Sequence, residues 1–112
     1  MTEKDLETIC QHYGIRKQIK KLSEEVFELQ EAVIDADQEW RISTDDPFVN
    51  ISKPTIQHIA KNLDHVAEEL ADVMVLWEQI RLHYEVPIQV VQGIMKEKID
   101  RQLKRIENEK GR

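Results

Sequence analysis

Residues 15–40 read IRKQIKKLSEEVFELQEAVIDADQEW, and their spacing decides the fold class. Ile15, Ile19, Leu22, Val26, Leu29, Val33, Ala36 and Trp40 recur at alternating intervals of four and three. An α-helix turns about 100° per residue, so these side chains form one apolar stripe along several turns. The same rhythm returns in Ile56, Ile59, Leu63, Val66, Leu70, Val73, Trp77, Ile80 and Tyr84. It predicts a second long helix from Thr55 to about Glu85.

Two shorter helices flank this pair. Thr2 and Asp5 have the spacing of a capping box, and Gly14 suits the stop after Tyr13. Pro87 suits the first turn of a last helix. That helix should turn Ile88, Val91, Met95, Ile99, Leu103 and Ile106 inward. Gly93 in its middle costs about 1 kcal/mol relative to Ala. Between the long helices, residues 42–54 hold Ser43, Thr44, Asp45, Asp46, Pro47, Asn50, Ser52 and Pro54, and read as a loop. Residues 107–112 read as a frayed tail. The expected architecture is all-α: a bundle of about four helices in a single domain, 1–112. The two long helices should run antiparallel, and self-association should complete the core.

Composition narrows the function classes. The net charge is −6, which argues against a sequence-independent grip on a nucleic-acid backbone. Cys10 is the lone cysteine. It has no partner for an internal disulfide or a thiolate zinc site, and reads as a small apolar residue on the first helix. No leader-like opening and no membrane-length apolar run stand out. The expectation is a soluble, cytoplasmic protein with no membrane or nucleic-acid partner.

Chemistry enters with two acid motifs. The first long helix carries Glu24-Glu25-Val26-Phe27-Glu28, the second Glu68-Glu69-Leu70-Ala71-Asp72. In each, two carboxylates three residues apart lie about 60° apart around the axis and one turn along it. On facing helices, Glu25, Glu28, Glu69 and Asp72 would enclose one small volume, and hard divalent cations such as Mg²⁺ take oxygen ligands. The Glu25/Glu28 pair alone reads as a solvated helix face, with Lys21 as an available ion-pair partner. Asp72 is more telling. It sits in Leu70-Ala71-Asp72-Val73-Met74-Val75-Leu76-Trp77, a run apolar enough to predict burial on all sides. A buried, uncompensated carboxylate costs several kcal/mol, so a partner is required, and Glu69 one turn away favours a cation. Trp77 and Phe27 read as core. On the last helix, Lys98 and Arg101 could clamp phosphate oxygens, although each taken singly fits a solvated basic face. A di-iron carboxylate bundle would need Glu-x-x-His. The residues three before His12, His58, His65 and His83 are Ile9, Thr55, Asn62 and Ile80, so that reading fails. A non-enzymatic helical assembly or adaptor module accounts for the stripes but not for the acids.

The segments Lys21-Leu22-Ser23-Glu24-Glu25-Val26-Phe27-Glu28-Leu29 and Glu68-Glu69-Leu70-Ala71-Asp72-Val73 resemble the two motifs of the MazG-like all-α nucleoside triphosphate pyrophosphohydrolases. The similarity runs from about Gly14 to Arg105 and points to the short, phage- and Firmicutes-type members. It implies a helical bundle forming homodimers or homotetramers. It implies hydrolysis of an NTP or dNTP to the monophosphate and pyrophosphate. Mg²⁺, with Mn²⁺ as a possible substitute, would be held by Glu25, Glu28, Glu69 and Asp72. Lys21 matches the lysine ahead of the first motif, and Lys98 and Arg101 match a basic last-helix pattern more loosely. Water would attack the α-phosphorus in line, with Glu25 or Glu24 taking its proton and Lys21, Lys98 and Arg101 offsetting charge on the leaving group. Trp40 or Asn62 could meet the base; core packing and an exposed polar role are the competing readings. The span between the acid pairs, Leu29 to Glu68, is longer than in compact members, largely through residues 42–54. That leaves phosphoribosyl-ATP or a single pyrimidine nucleotide open as alternative substrates.

Overall fold

The computed structural model describes residues 2–45 and 53–111, with side chains from 2 to 38 and from 60 to 111. They form four helices and no strand: α1 (Glu3–Tyr13), α2 (Ile15–Asp45), α3 (Lys53–His83) and α4 (Ile88–Lys110). The all-α expectation holds. No helix among the described residues is long and apolar enough to cross a membrane.

The helix ends follow local chemistry. Asp5 N–H donates to Thr2 Oγ1 at 3.2 Å and Thr2 N–H donates to Asp5 Oδ2 at 2.9 Å, the reciprocal capping box. Gly14 takes φ +91°, open to glycine without a Cβ penalty, and lets α2 start at once. At the end of α3, Glu85 adopts φ +53°. Arg81 secures this turn, donating to Glu78 at 2.7 Å and to the Val86 carbonyl at 2.9 Å.

Several boundaries differ from expectation. Residues 46–52 of the expected loop 42–54 lie outside the described residues; residues 42–45 continue α2 and residues 53–54 begin α3. The polar residues there are tolerated in helix, where propensity is a weak constraint. Pro87 caps α4 from outside its first turn, and α4 stays helical to Lys110 through the expected tail.

α2 and α3 form an antiparallel hairpin: Gln18 bonds to Gln79, and two turns along, Glu25 lies with Asp72. α1 packs across its open end, mainly on α3. The seam is rotated from the apolar stripe. On α2 it holds Gln18, Leu22, Glu25, Leu29, Ala32 and Ala36; on α3 it holds Asn62, Val66, Glu69, Val73, Leu76 and Gln79. The remaining half of each stripe is exposed: Ile19, Val26 and Val33 on α2, Leu63, Leu70 and Trp77 on α3. Each set repeats every seven residues, one position beyond a seam row. In an antiparallel pair, such rows fall on the same flank. The hairpin therefore has one apolar flank, and the acid cluster lies toward the other.

Two core assignments are corrected. Phe27 is 59% exposed, because two residues beyond the seam position Glu25 it faces outward from α2, and Trp77 is 39% exposed, because nothing among the described residues covers that flank. α4 likewise buries no residue; Met95, Ile99, Leu103 and Ile106 are exposed rather than turned into a core. α4 extends from the α3 corner without extensive packing on the described helices. The radius of gyration is 19.1 Å, against about 13 Å for a compact chain of this length. Accessible surface is 9372 Å², against about 6,500 Å² for a compact monomer of this mass.

Candidate metal centre

Seven residues is close to two helical turns, so Gln18 and Glu25 share a face of α2, and Asp72 and Gln79 share a face of α3. The antiparallel register sets these two faces together. One carboxylate oxygen from each of Glu25, Glu69 and Asp72 lies within 4.8 Å of the others. Three of the four expected ligands thus converge from two helices. Glu28 is exposed and lies one turn along α2 from Glu25, outside the group of converging oxygens.

The environment of these acids departs from expectation in one respect. Asp72 was expected to be buried, yet it is exposed, while Glu69 is only 9% exposed. The flanking Met74, Val75 and Trp77 belong partly to the uncovered flank, so an apolar run did not guarantee burial in one chain. Glu25 is half-buried. Glu25 Oε2 and Glu69 Oε2 are both shielded from solvent and have no hydrogen-bond partner. His65 Nε2 approaches the other Glu69 oxygen, Oε1, at 3.9 Å, too far for a hydrogen bond.

Crowded acids with orphaned oxygens are electrostatically costly. Burial is the first cause that raises the Glu25 pKa above its ordinary 4.5, followed by the charges of Glu28 and Asp72, a hydrogen bond with Glu28 and the charge of Glu69. Desolvation and like charge both favour the neutral acid. A divalent cation would reverse both effects, and the all-oxygen donor set fits a hard ion such as Mg²⁺ or Mn²⁺. Glu25, Glu69 and Asp72 would supply the closest ligands, with Glu28 one turn along.

A cavity of about 160 Å³ adjoins the cluster, lined by Glu25, Asp72, Lys21, Gln18, Gln79 and Tyr13 among others. Lys21 thus lines the same cavity as Glu25 and Asp72. Glu24 points elsewhere, into a pocket it shares with Lys17, Lys20 and Lys21. Lys98 and Arg101 are exposed on α4 and are not brought to the cluster within one chain. Asn62 is half-buried two turns before Glu69. The side chain of Trp40 lies outside the described residues.

Sequence reasoning gave no site role to Gln18, Gln79 or Tyr13. The available signal was the seven-residue offset of each glutamine from an acid of the cluster. Polar residues at seam positions are informative when the seam is placed correctly, and the apolar stripe placed it one residue off.

No family model, curated protein or solved structure matches the chain.

A raised carboxyl pKa opposes folding once the group ionises. As pH falls from neutral toward 4.5, folded Glu25 takes up its proton before the unfolded chain does, so its contribution stabilises the metal-free protein across that window. Glu25→Gln should raise the metal-free melting midpoint at pH 7 and flatten this part of the pH profile in EDTA. A variant melting below the parent at pH 7, with the slope intact, would contradict the assignment.

Proposed function

We propose that this chain is a Mg²⁺-dependent nucleoside triphosphate pyrophosphohydrolase of the MazG-like all-α kind, acting in the cytoplasm. The observation that carries the reading is the convergence of Glu25, Glu69 and Asp72 within 4.8 Å, with a shielded oxygen on each of Glu25 and Glu69 lacking any donor. A solvated acidic face would leave such oxygens to water. The two sequence motifs supply the same residues with the spacing of that family.

Glu25, Glu28, Glu69 and Asp72 would hold the ion. Bound Mg²⁺ supplies positive charge against the triphosphate oxygens. Water attacks the α-phosphorus as the bond to the bridging oxygen breaks, and pyrophosphate leaves with that electron pair. Glu25, on the wall of the cavity beside Lys21 and Asp72, is the residue placed to take the water's proton. Glu24, facing the lysines, is the weaker choice for that role. Lys21, on the cavity wall beside Glu25 and Asp72, offsets charge on the phosphates.

Lys98 and Arg101 reach a cluster only if a second copy brings one to α4. A homodimer or homotetramer is therefore part of the proposal, supported by the uncovered flank of α2 and α3 and the unpacked α4. The surplus surface of roughly 2,900 Å² is ample for a stable interface. The same exposed flank favours the main alternative, a non-catalytic helical adaptor. Phosphoribosyl-ATP or a single pyrimidine nucleotide remain alternative substrates within the hydrolase reading.

Pyrophosphate release across a panel of NTPs and dNTPs with Mg²⁺ tests the activity. Glu69→Gln should lower turnover by about 100-fold or more while far-UV circular dichroism stays unchanged. Full activity in that variant sinks the metal assignment. An adaptor would show no turnover and no rise in melting temperature with Mg²⁺ over EDTA, where a metal site gains stability by linkage. Light scattering should give at least twice the 13.3 kDa chain mass; a monomer at micromolar concentration would remove the oligomer from the account.

A further inference from the structure

Gln18 and Gln79 are the most deeply buried polar side chains described, 3% and 2% exposed, and are separated by 61 residues of chain. Gln18 Nε2 donates to Gln79 Oε1 at 2.8 Å. The pair sits where three helices meet. On one side is the cavity shared with Lys21, Glu25 and Asp72; on the other is a cavity of about 270 Å³ between Cys10 and Gln11 of α1 and Leu82 and His83 of α3. Burying two amides is unfavourable unless they meet each other. The remaining seam is largely Leu, Val and Ala, which pack acceptably in more than one register.

We propose that the Gln18–Gln79 bond pins the register of the α2–α3 hairpin and so acts as the positioning pair for the acid cluster. The geometry makes the link direct. Gln18 lies seven residues before Glu25, and Gln79 lies seven after Asp72, so one offset pairs both layers. A slip of one heptad in one direction sets Gln18 beside Asp72 and Glu25 beside His65. In the other direction it sets Gln18 beside Val86 and Glu25 beside Gln79. Either slip disperses the carboxylates and breaks the amide pair. A single buried polar contact is a known means of selecting one register among several apolar ones. The positional consequence for metal binding rests on the function proposed above; the pinning itself does not.

The test uses the full chain in a Cys10→Ala background, with nitroxide labels on Ser23→Cys and Ala71→Cys, both exposed positions. Labelled chain is diluted into unlabelled chain, so that only distances within one chain are read. The parent should give one narrow distance distribution. Gln18→Leu/Gln79→Leu satisfies an apolar seam and should fold, with a melting midpoint at or above the parent's. Its distance distribution should gain a second population displaced by up to about 10 Å, one heptad of rise. Its Mn²⁺ affinity, read from the free-ion electron paramagnetic resonance signal, should fall at least tenfold. Either single Leu variant should melt below both the parent and the double variant, because one amide is left unpaired. A double variant with one unchanged distance overturns the pin, whatever the metal does. A second distance in the double variant, with no Mn²⁺ bound by the parent, supports the pin and removes the metal centre alone.

Discussion

Three carboxylates that repel one another are held together between α2 and α3, and the rest of the structure is organised around that conflict. Glu25, Glu69 and Asp72 could separate if the helices slid or rotated. The packed seam prevents this: Leu76 and Ala32 are buried in it, and two amides bond across it. The fold thus crowds three acids into one small volume. Lys21 stands at its edge, yet Glu25 Oε2 and Glu69 Oε2 remain without donors. Charge held in this way has a natural counterpart in a divalent cation, whose attraction grows as the site is shielded from water.

The two flanks of the hairpin divide the work. One presents the acids, the adjoining cavity and the edge of α1. The other presents Ile19, Val26, Val33, Leu63, Leu70 and Trp77 to solvent. A chain this small has little area for a core, and the one described is small: Leu6, Cys10, Ala32 and Leu76 are buried, while α4 has no buried side chain. The Arg81 contacts with Glu78 and Val86 fix the corner from which α4 leaves. The result is a hairpin with much of its apolar surface exposed in a single chain.

Much of this was legible in the sequence because helical periodicity is a strong signal. The stripes of α2 and α3, the Thr2 capping box and the Gly14 stop identified the elements, and the two acid motifs identified three residues that do converge. The failures share one physical origin. An apolar stripe does not say which of its side chains a single chain covers. Trp77, Met95 and Leu103 belong to such stripes and a single chain leaves them exposed, as it leaves Phe27, which faces outward beside the stripe of α2. Asp72 was judged buried for the same reason, while Glu69 carries the burial. The amide pair escaped notice because a glutamine beside an apolar stripe looks like an ordinary surface residue until the seam is located. Lys98 and Arg101 lie three residues apart on the last helix, and that spacing marks them as a pair of cations without revealing where α4 leads them.

Anomalous diffraction from crystals of the full chain grown with Mn²⁺ tests the central claim most directly. The account predicts one strong manganese peak between α2 and α3, with oxygens of Glu25, Glu69 and Asp72 at bonding distance and Glu28 adjacent. Those carboxylates turned apart into solvent, or hydrogen-bonded to protein donors with no manganese between them, would contradict it.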